Sequence, residues 1–356
     1  MIEKIKILIL LSLNVKGIIS LQERIKIKVM TKKISLEEQI KKMSSVDKNY
    51  CLDAKIPNNI MVEVTNICNL RCKMCYNKRM KRKKGFISFD LFKKIVDQAV
   101  DLNIENMGLY TTGESFLHPK IFEFIKYAKK KGIKYVYITT NGQALNDEKI
   151  KKIFESGLDS IKFSIDAGNK ERYESLKIGA SWNKLVKIVK KLKAMRDNFD
   201  SKLRIFASFI VMKDNFKDLA RYKKIFGNLI DETFFVFVGN QGSQVKAEKL
   251  YPKNVISKIE NLTLPKEKWQ PCSMLWDRFI VTYEGYLTIC CIDFENSLIY
   301  GDINKESLKT SWNNKKIKKF REIHASRQFE KLPLCFDCDS IKINNDIDIN
   351  RILADL

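Results

Sequence analysis

Three cysteines, Cys68, Cys72 and Cys75, stand in the run CNLRCKMC, a Cys-x3-Cys-x2-Cys spacing. Three thiolates on one short loop can hold three irons of a 4Fe–4S cube, leaving the fourth iron open to a small molecule, much as catalytic zinc keeps an open position. Zinc itself suits the loop poorly, because it takes four ligands and no histidine lies nearby. A second set comprises Cys272, Cys290 and the pair Cys335 and Cys338 in CFDC. Four thiolates can fully ligate a second 4Fe–4S cluster, and they serve structural zinc equally well. Cys291 adjoins Cys290; a strand alternates its faces, so only one of the two should point at the metal, and Cys290 is the expected ligand. Cys51 precedes the first strand and reads as an ordinary thiol.

Elements that could position these residues follow from periodicity. Strands are expected at 59–65, 105–112, 134–140, 160–166, 203–211 and 232–238. Helices are expected at 88–103, 119–132 and 146–157, around 182–196 and near 216–227. Ser88 suits an N-cap, Pro119 a first helical position and Gly132 a helix end. Strand–helix alternation implies a parallel sheet with right-handed crossovers, an α/β fold built as a partial (β/α)6 TIM-type barrel. In that architecture the site lies at the C-terminal strand ends. Gly113 and Glu114, then Asn141, then Ser164 and Asp166 all fall there. Beyond 265 the pattern changes to a hairpin over 277–291 with a Glu284–Gly285 turn, a helix over 307–326 and CFDC. The expected units are an N-terminal extension and helix (1–57), the barrel (58–240), a connecting segment (241–264), a small cysteine-rich α+β module (265–340) and a tail (341–356). Within the first, a helix is expected after Met30 with Ser35 as N-cap, and residues 1–29 read as an upstream extension whose apolar run 7–15 is too short to span a bilayer.

The cysteine loop, TTGE (111–114), TTNG (139–142) and SID (164–166) together resemble the radical S-adenosylmethionine (SAM) superfamily. The resemblance implies that SAM chelates the open iron, and that a reduced cluster cleaves it to a 5′-deoxyadenosyl radical that abstracts a substrate hydrogen. It carries SAM contacts onto Gly113, Glu114, Asn141, Ser164 and Asp166. Thr112 departs from the family's first glycine. Met74 replaces a residue that is often aromatic and still supplies an apolar shield. The stretch from YEGYLTICC to CFDC is similar to the SPASM/twitch extensions of the superfamily, which implies an auxiliary 4Fe–4S cluster on Cys272, Cys290, Cys335 and Cys338. A flavodoxin- or ferredoxin-type electron donor follows from the same resemblance, as does sensitivity to oxygen.

The chain has 356 residues with 45% hydrophobic and 30% charged, globular material rather than disordered. Its formal charge of +24 admits a nucleic-acid partner, but most lysines alternate with acids on helical patterns, and only KRMKRKKG (78–85) is densely basic. Clustered cysteines without a clean signal peptide point to the cytoplasm. The expected activity is oxidation or modification of a small molecule or sugar, with peptide modification second; RNA modification and a non-catalytic iron–sulfur or zinc protein are disfavoured. No general base is identifiable. His118 is left between a structural and a substrate-facing role, Lys177 and His324 read mainly as solvated surface residues, and Tyr110 as packing.

Overall fold

The computed structural model describes residues 50–246, 249–250 and 264–342. The apolar run 7–15, the helix expected after Met30 and residues 343–356 lie outside the described residues. The chain runs β1 (Asn59–Val62), a short β2 (Arg71–Cys72), α1 (Phe89–Asp101), β3 (Asn106–Gly108), α2 (Ile121–Lys131), β4 (Tyr135–Thr140), α3 (Asp147–Ser156) and β5 (Ser160–Ser164). It continues through α4 (Lys170–Leu176), β6 (Lys177–Ile178), α5 (Trp182–Asn198), β7 (Arg204–Val211), α6 (Leu219–Phe226) and β8 (Glu232–Phe237). Strands β1, β3, β4, β5, β7 and β8 lie side by side in that order, each pair parallel. This is the expected α/β half-barrel, and it stays open, with β8 at one edge.

Local chemistry sets the ends of these elements. Ser88 Oγ accepts from Leu91 N at 3.1 Å to start α1, and Gly132 ends α2 at φ 109°, a left-handed conformation that costs glycine little. Helix α2 begins two residues after Pro119, because His118 and Lys120 form its entry turn. The apolar faces of α1 and α2 meet through Phe92 and Phe124, whose rings stack at 4.2 Å, each burial being worth roughly 2–3 kcal/mol.

The sheet has two unlike faces. Ile138, Ile161, Phe163, Ala207 and Phe209 are buried beneath the helices. Their alternating neighbours, among them Tyr137, Lys162, Ser164, Phe206, Ser208 and Phe234, face the concave side and stay half-buried or exposed.

The segment after residue 265 continues this same sheet. Short α7 (Met274–Asp277) leads to β9 (Phe279–Val281), β10 (Tyr286–Thr288) and β11 (Ile299–Asp302). Strand β9 pairs in parallel with β1, Ile60 opposite Phe279 and Val62 opposite Val281, and β10 and β11 follow antiparallel. The single helix expected over 307–326 is two, α8 (Leu308–Trp312) and α9 (Lys315–Ala325). Asn314 breaks it by capping α9, its Oδ1 accepting from Lys316 N and Ile317 N. The buried Trp312 indole donates to Lys55 O at 2.8 Å, tying the module to the segment before β1. A final turn, α10 (Asp339–Lys342), follows CFDC.

Candidate functional site

The loop after β1 is pinned on both sides of its cysteines. Asn66 Nδ2 donates to Lys83 O at 2.8 Å and its Oδ1 accepts from Gly85 N at 2.9 Å. Asn77 Nδ2 donates to Asn66 O at 2.9 Å and to Thr112 O at 2.7 Å. Strand β2 pairs with β6, placing Cys72 opposite Lys177. Met74 is buried with Leu176, Met212 and Val238, and Cys72 packs against that group. The loop's one apolar residue between its last two cysteines therefore anchors it over the ends of β7 and β8. Burial pushes the Cys68 thiol up to about 12, with the Leu70 backbone opposing. Burial also raises Cys72, against the charge of Lys177, and Cys75, against the Asn77 N–H. Binding iron must therefore displace protons from desolvated sulfurs.

The segment after β3 lies directly on this loop. A Cβ on Gly113 would stand 2.3 Å from Thr65 O and 2.7 Å from Ile67 O, so only glycine allows that approach. Glu114 N donates to Ile67 O at 2.8 Å. The Glu114 carboxylate turns inward: Oε1 accepts from Thr140 Oγ1 and Oε2 from Asn141 N, both at 2.7 Å, and burial raises its pKa. It holds the end of β4 against the cysteine loop. Asn141 Nδ2 donates to Asn69 Oδ1 at 2.9 Å and lies 3.8 Å from Cys68 Sγ. Thr112, where the family has glycine, donates its hydroxyl to Glu63.

Ser164 ends β5 on the concave face, opposite Ser208. Asp166 follows at φ 59°, a left-handed turn that aspartate tolerates better than most residues. Both its oxygens are taken: Oδ1 accepts from Ile210 N at 2.7 Å and Oδ2 pairs with Lys177 Nζ at 2.6 Å. Lys177 is not the solvated lysine its local sequence implies. It is buried, and although desolvation opposes its charge, Asp166 and then Cys72 hold its pKa well above the ordinary value. Of the five residues expected to meet SAM, Glu114 and Asp166 spend their carboxylates on protein partners, Gly113 and Asn141 lie against the cysteine loop, and Ser164 stands at the end of β5.

Sequence reasoning missed a pair that joins the end of β1 to the basic run. Arg82, inside the basic run, is buried and grips Glu63 with Nη2 at 2.7 and 2.8 Å. Its Nη1 reaches Glu284 Oε2 at 3.1 Å and Asn296 Oδ1 at 2.7 Å. Glu295 accepts from Lys81 N at 2.8 Å and Arg82 N at 3.0 Å. The basic run therefore latches the cysteine loop to the C-terminal module. An arginine among lysines, followed far downstream by Glu284 and Glu295, was the only signal.

The second cysteine set lies in that module. Cys272, Cys290 and Cys338 pack against the core that contains buried Cys335, while Cys291 is not part of that packing. Burial pushes Cys272 up to about 12, and burial together with neighbouring thiols raises Cys290 and Cys335. Cys291 is raised by burial, against the charge of Arg278 and with a smaller contribution from Cys338. His324 is fully buried rather than at the surface. Its Nδ1 accepts from Cys272 N at 3.2 Å, and its ring lies edge-on to Phe329 at 5.1 Å. His118 is likewise structural: buried, it donates from Nε2 to Ile87 O and accepts at Nδ1 from Lys120 N, both at 3.0 Å. Tyr110 packs edge-on to Tyr137 at 5.8 Å.

Among the described residues no three His, Cys, Asp or Glu side chains are grouped to hold a single metal ion. A 4Fe–4S cube instead spreads its cysteines over separate irons, and the all-thiol donor sets fit it. Gly113, having no Cβ, lets the segment after β3 pack directly on the backbone of the loop at Thr65 and Ile67.

Residues 62–222 match the radical SAM superfamily, and residues 272–339 match SPASM, an iron–sulfur cluster-binding domain. The tungsten-containing aldehyde ferredoxin oxidoreductase cofactor-modifying protein of Pyrococcus furiosus is 27% identical over 78% of this chain and 86% of its own length. The antilisterial bacteriocin subtilosin biosynthesis protein AlbA of Bacillus subtilis is 24% identical over 76% of this chain, which spans 63% of that relative. In fold the chain is similar to BtrN in complex with AdoMet and 2-DOIA (TM-score 0.58, 17% identity, 83% of this chain and 98% of that one). It is also similar to Streptococcus suis SuiB bound to the precursor peptide SuiA (TM-score 0.61, 15% identity, 86% and 74%). These domains imply a SAM-binding 4Fe–4S cluster, SAM and an auxiliary iron–sulfur cluster. Among the described residues no helix is long and apolar enough to cross a membrane.

Proposed function

The chain is a radical SAM enzyme with a SPASM domain, and from that premise we propose that it abstracts a hydrogen atom from a small molecule or sugar held on the concave face of the half-barrel and oxidises or modifies it. In this reading Cys68, Cys72 and Cys75 hold the SAM cluster, Cys272, Cys290, Cys335 and Cys338 the auxiliary one, and Gly113, Asn141 and Ser164 border SAM. When bound, the reduced cluster supplies the electron that splits SAM into methionine and a 5′-deoxyadenosyl radical, and the auxiliary cluster offers a place for an electron leaving the substrate. The residues of the chain orient these groups. Glu114 and Asn77 fix the loops around the cysteine run, Lys177 and Asp166 hold the ground beside Cys72, and Arg82 keeps the loop in register with the module that carries the second cysteines.

One observation supports the reading above others: β9 pairs with β1, so the loop that carries the first cysteines and the hairpin that leads to Cys290 rise from one continuous sheet. The likeness to AlbA along three quarters of the chain makes peptide modification the second reading. The test is iron and sulfide content with EPR spectra on anaerobically reconstituted protein, with and without SAM, beside a Cys68/Cys72/Cys75 triple alanine variant. About eight irons, about four in the variant, and a spectral change on adding SAM are expected for two four-iron clusters. A spectrum indifferent to SAM refutes the assignment.

A further inference from the structure

Two other lysines around the barrel, one buried and one partly so, are paired with carboxylates. Lys177 meets Asp166 at 2.6 Å, and partly buried Lys129 meets Asp159 at 2.8 Å. Lys162 is different. The alternation of β5 turns Ile161 and Phe163 under the helices and leaves Lys162 on the concave face with Ser164. In register it lies between Thr139 of β4 and Phe206 of β7. Its ammonium stands 5.9 Å from the centre of the Tyr110 ring and 5.7 Å from that of Phe234. Among the described residues no carboxylate pairs with it and no acceptor takes a hydrogen bond from it. Burial lowers its pKa, and the charge of Cys291 opposes that effect. A desolvated ammonium with only ring faces for company is costly unless an anion joins it.

The geometry points to Lys162 as the residue that binds an oxyanion of the substrate, a carboxylate or a phosphate, with an adjoining planar or apolar part lodged between Tyr110 and Phe234. This rests on the reading that the concave face receives the substrate, and it narrows that substrate to an anionic molecule. Lys162 would orient it, not react with it.

Equilibrium dialysis of the anaerobically reconstituted holoenzyme with saturating SAM tests the proposal, using benzoate, phenyl phosphate and neutral benzamide as probes. At least one anion should bind about tenfold or more tighter than benzamide, the range of a charge-assisted hydrogen bond. Whether benzoate or phenyl phosphate leads tells carboxylate from phosphate. The preference should vanish in Lys162→Met and in Lys162→Gln and persist in Lys162→Arg. Dialysis needs no turnover, so a protein that fails to cleave SAM would sink the proposed function without touching this readout. The proposal is overturned if neither anion outbinds benzamide, if the preference survives in both neutral variants, or if those variants lose tenfold or more in SAM affinity, which would place the ammonium on SAM.

Discussion

Replacing Arg82 by methionine keeps an unbranched apolar stem and removes the guanidinium with its charge. Arg82 and Glu63 have side chains only 6% and 2% exposed, and their contact is bidentate. Breaking one partner from a buried pair costs ~3–5 kcal/mol, because the other charge is left uncompensated. Here Glu63 keeps the Thr111 and Thr112 hydroxyls and the Tyr283 N–H, which places the loss at the lower end, ~3 kcal/mol. The second contact of Arg82, to Glu284, is 22% exposed on the acidic side and adds little. At ~2 °C per kcal/mol for a chain of this size, the melting temperature should fall by about 6 °C. The assay is thermal unfolding by circular dichroism, under anaerobic conditions, at matched iron and SAM content, since bound groups shift the apparent stability. Glu63→Gln should cost a similar amount, and Arg82→Met/Glu63→Gln should cost clearly less than the two together. A fall under about 2 °C for Arg82→Met, the size of an exposed pair, or strict additivity in the double variant, would refute the latch.

Two further outcomes follow. Gly113→Ala must push the backbone at Thr65 and Ile67 away, so the variant should lose SAM-induced changes in the EPR spectrum and melt several degrees lower, as overpacking costs ~1–3 kcal/mol; a wild-type response to SAM would show that the two segments do not need this contact. His118 has its pKa lowered by burial, so the unfolded chain takes up a proton near the ordinary value of 6.5 while the folded chain resists. Stability is therefore complete above that pH and declines as pH falls below it, by less than the ~1.4 kcal/mol per unit that one proton allows, since the Ile87 carbonyl favours the charged ring and offsets part of the burial effect. In urea titrations between pH 7 and 5, His118→Gln should show a shallower decline than the wild type, and an identical decline would count against the buried neutral ring.

Much of the half-barrel was legible because its signals are local. Ser88, Gly132 and the spacing of Phe92, Ile95, Val96 and Ala99 define helices without reference to anything distant. The cysteine run and TTGE were legible as chemistry, since few residue types share that spacing. What stayed hidden is long-range or depends on burial. Lys177, Arg82 and His324 look like surface residues in a lysine-rich chain, and only their partners Asp166, Glu63 and Cys272, each far away or across a turn, reveal that they are inside. The break at Asn314 was masked by helical periodicity on both sides. The pairing of β9 with β1 has no local signature at all, because a short apolar strand carries no address for its neighbour.

That pairing sets a timetable for synthesis. Strand β1 leaves the ribosome roughly 220 residues before its partner β9, an interval on the order of 10–40 s at ordinary elongation rates. Throughout it, one side of β1 is an unpaired edge of apolar residues, the kind of surface that recruits strands from other nascent chains. Iron delivered early would meet a cysteine loop whose outer flank, from Lys81 to Arg82, has not yet met Glu295 or Glu284. Release of the C-terminal module is thus the event that finishes the N-terminal one, and a chain stalled before residue 281 carries all three cysteines of the first set on an unfinished sheet.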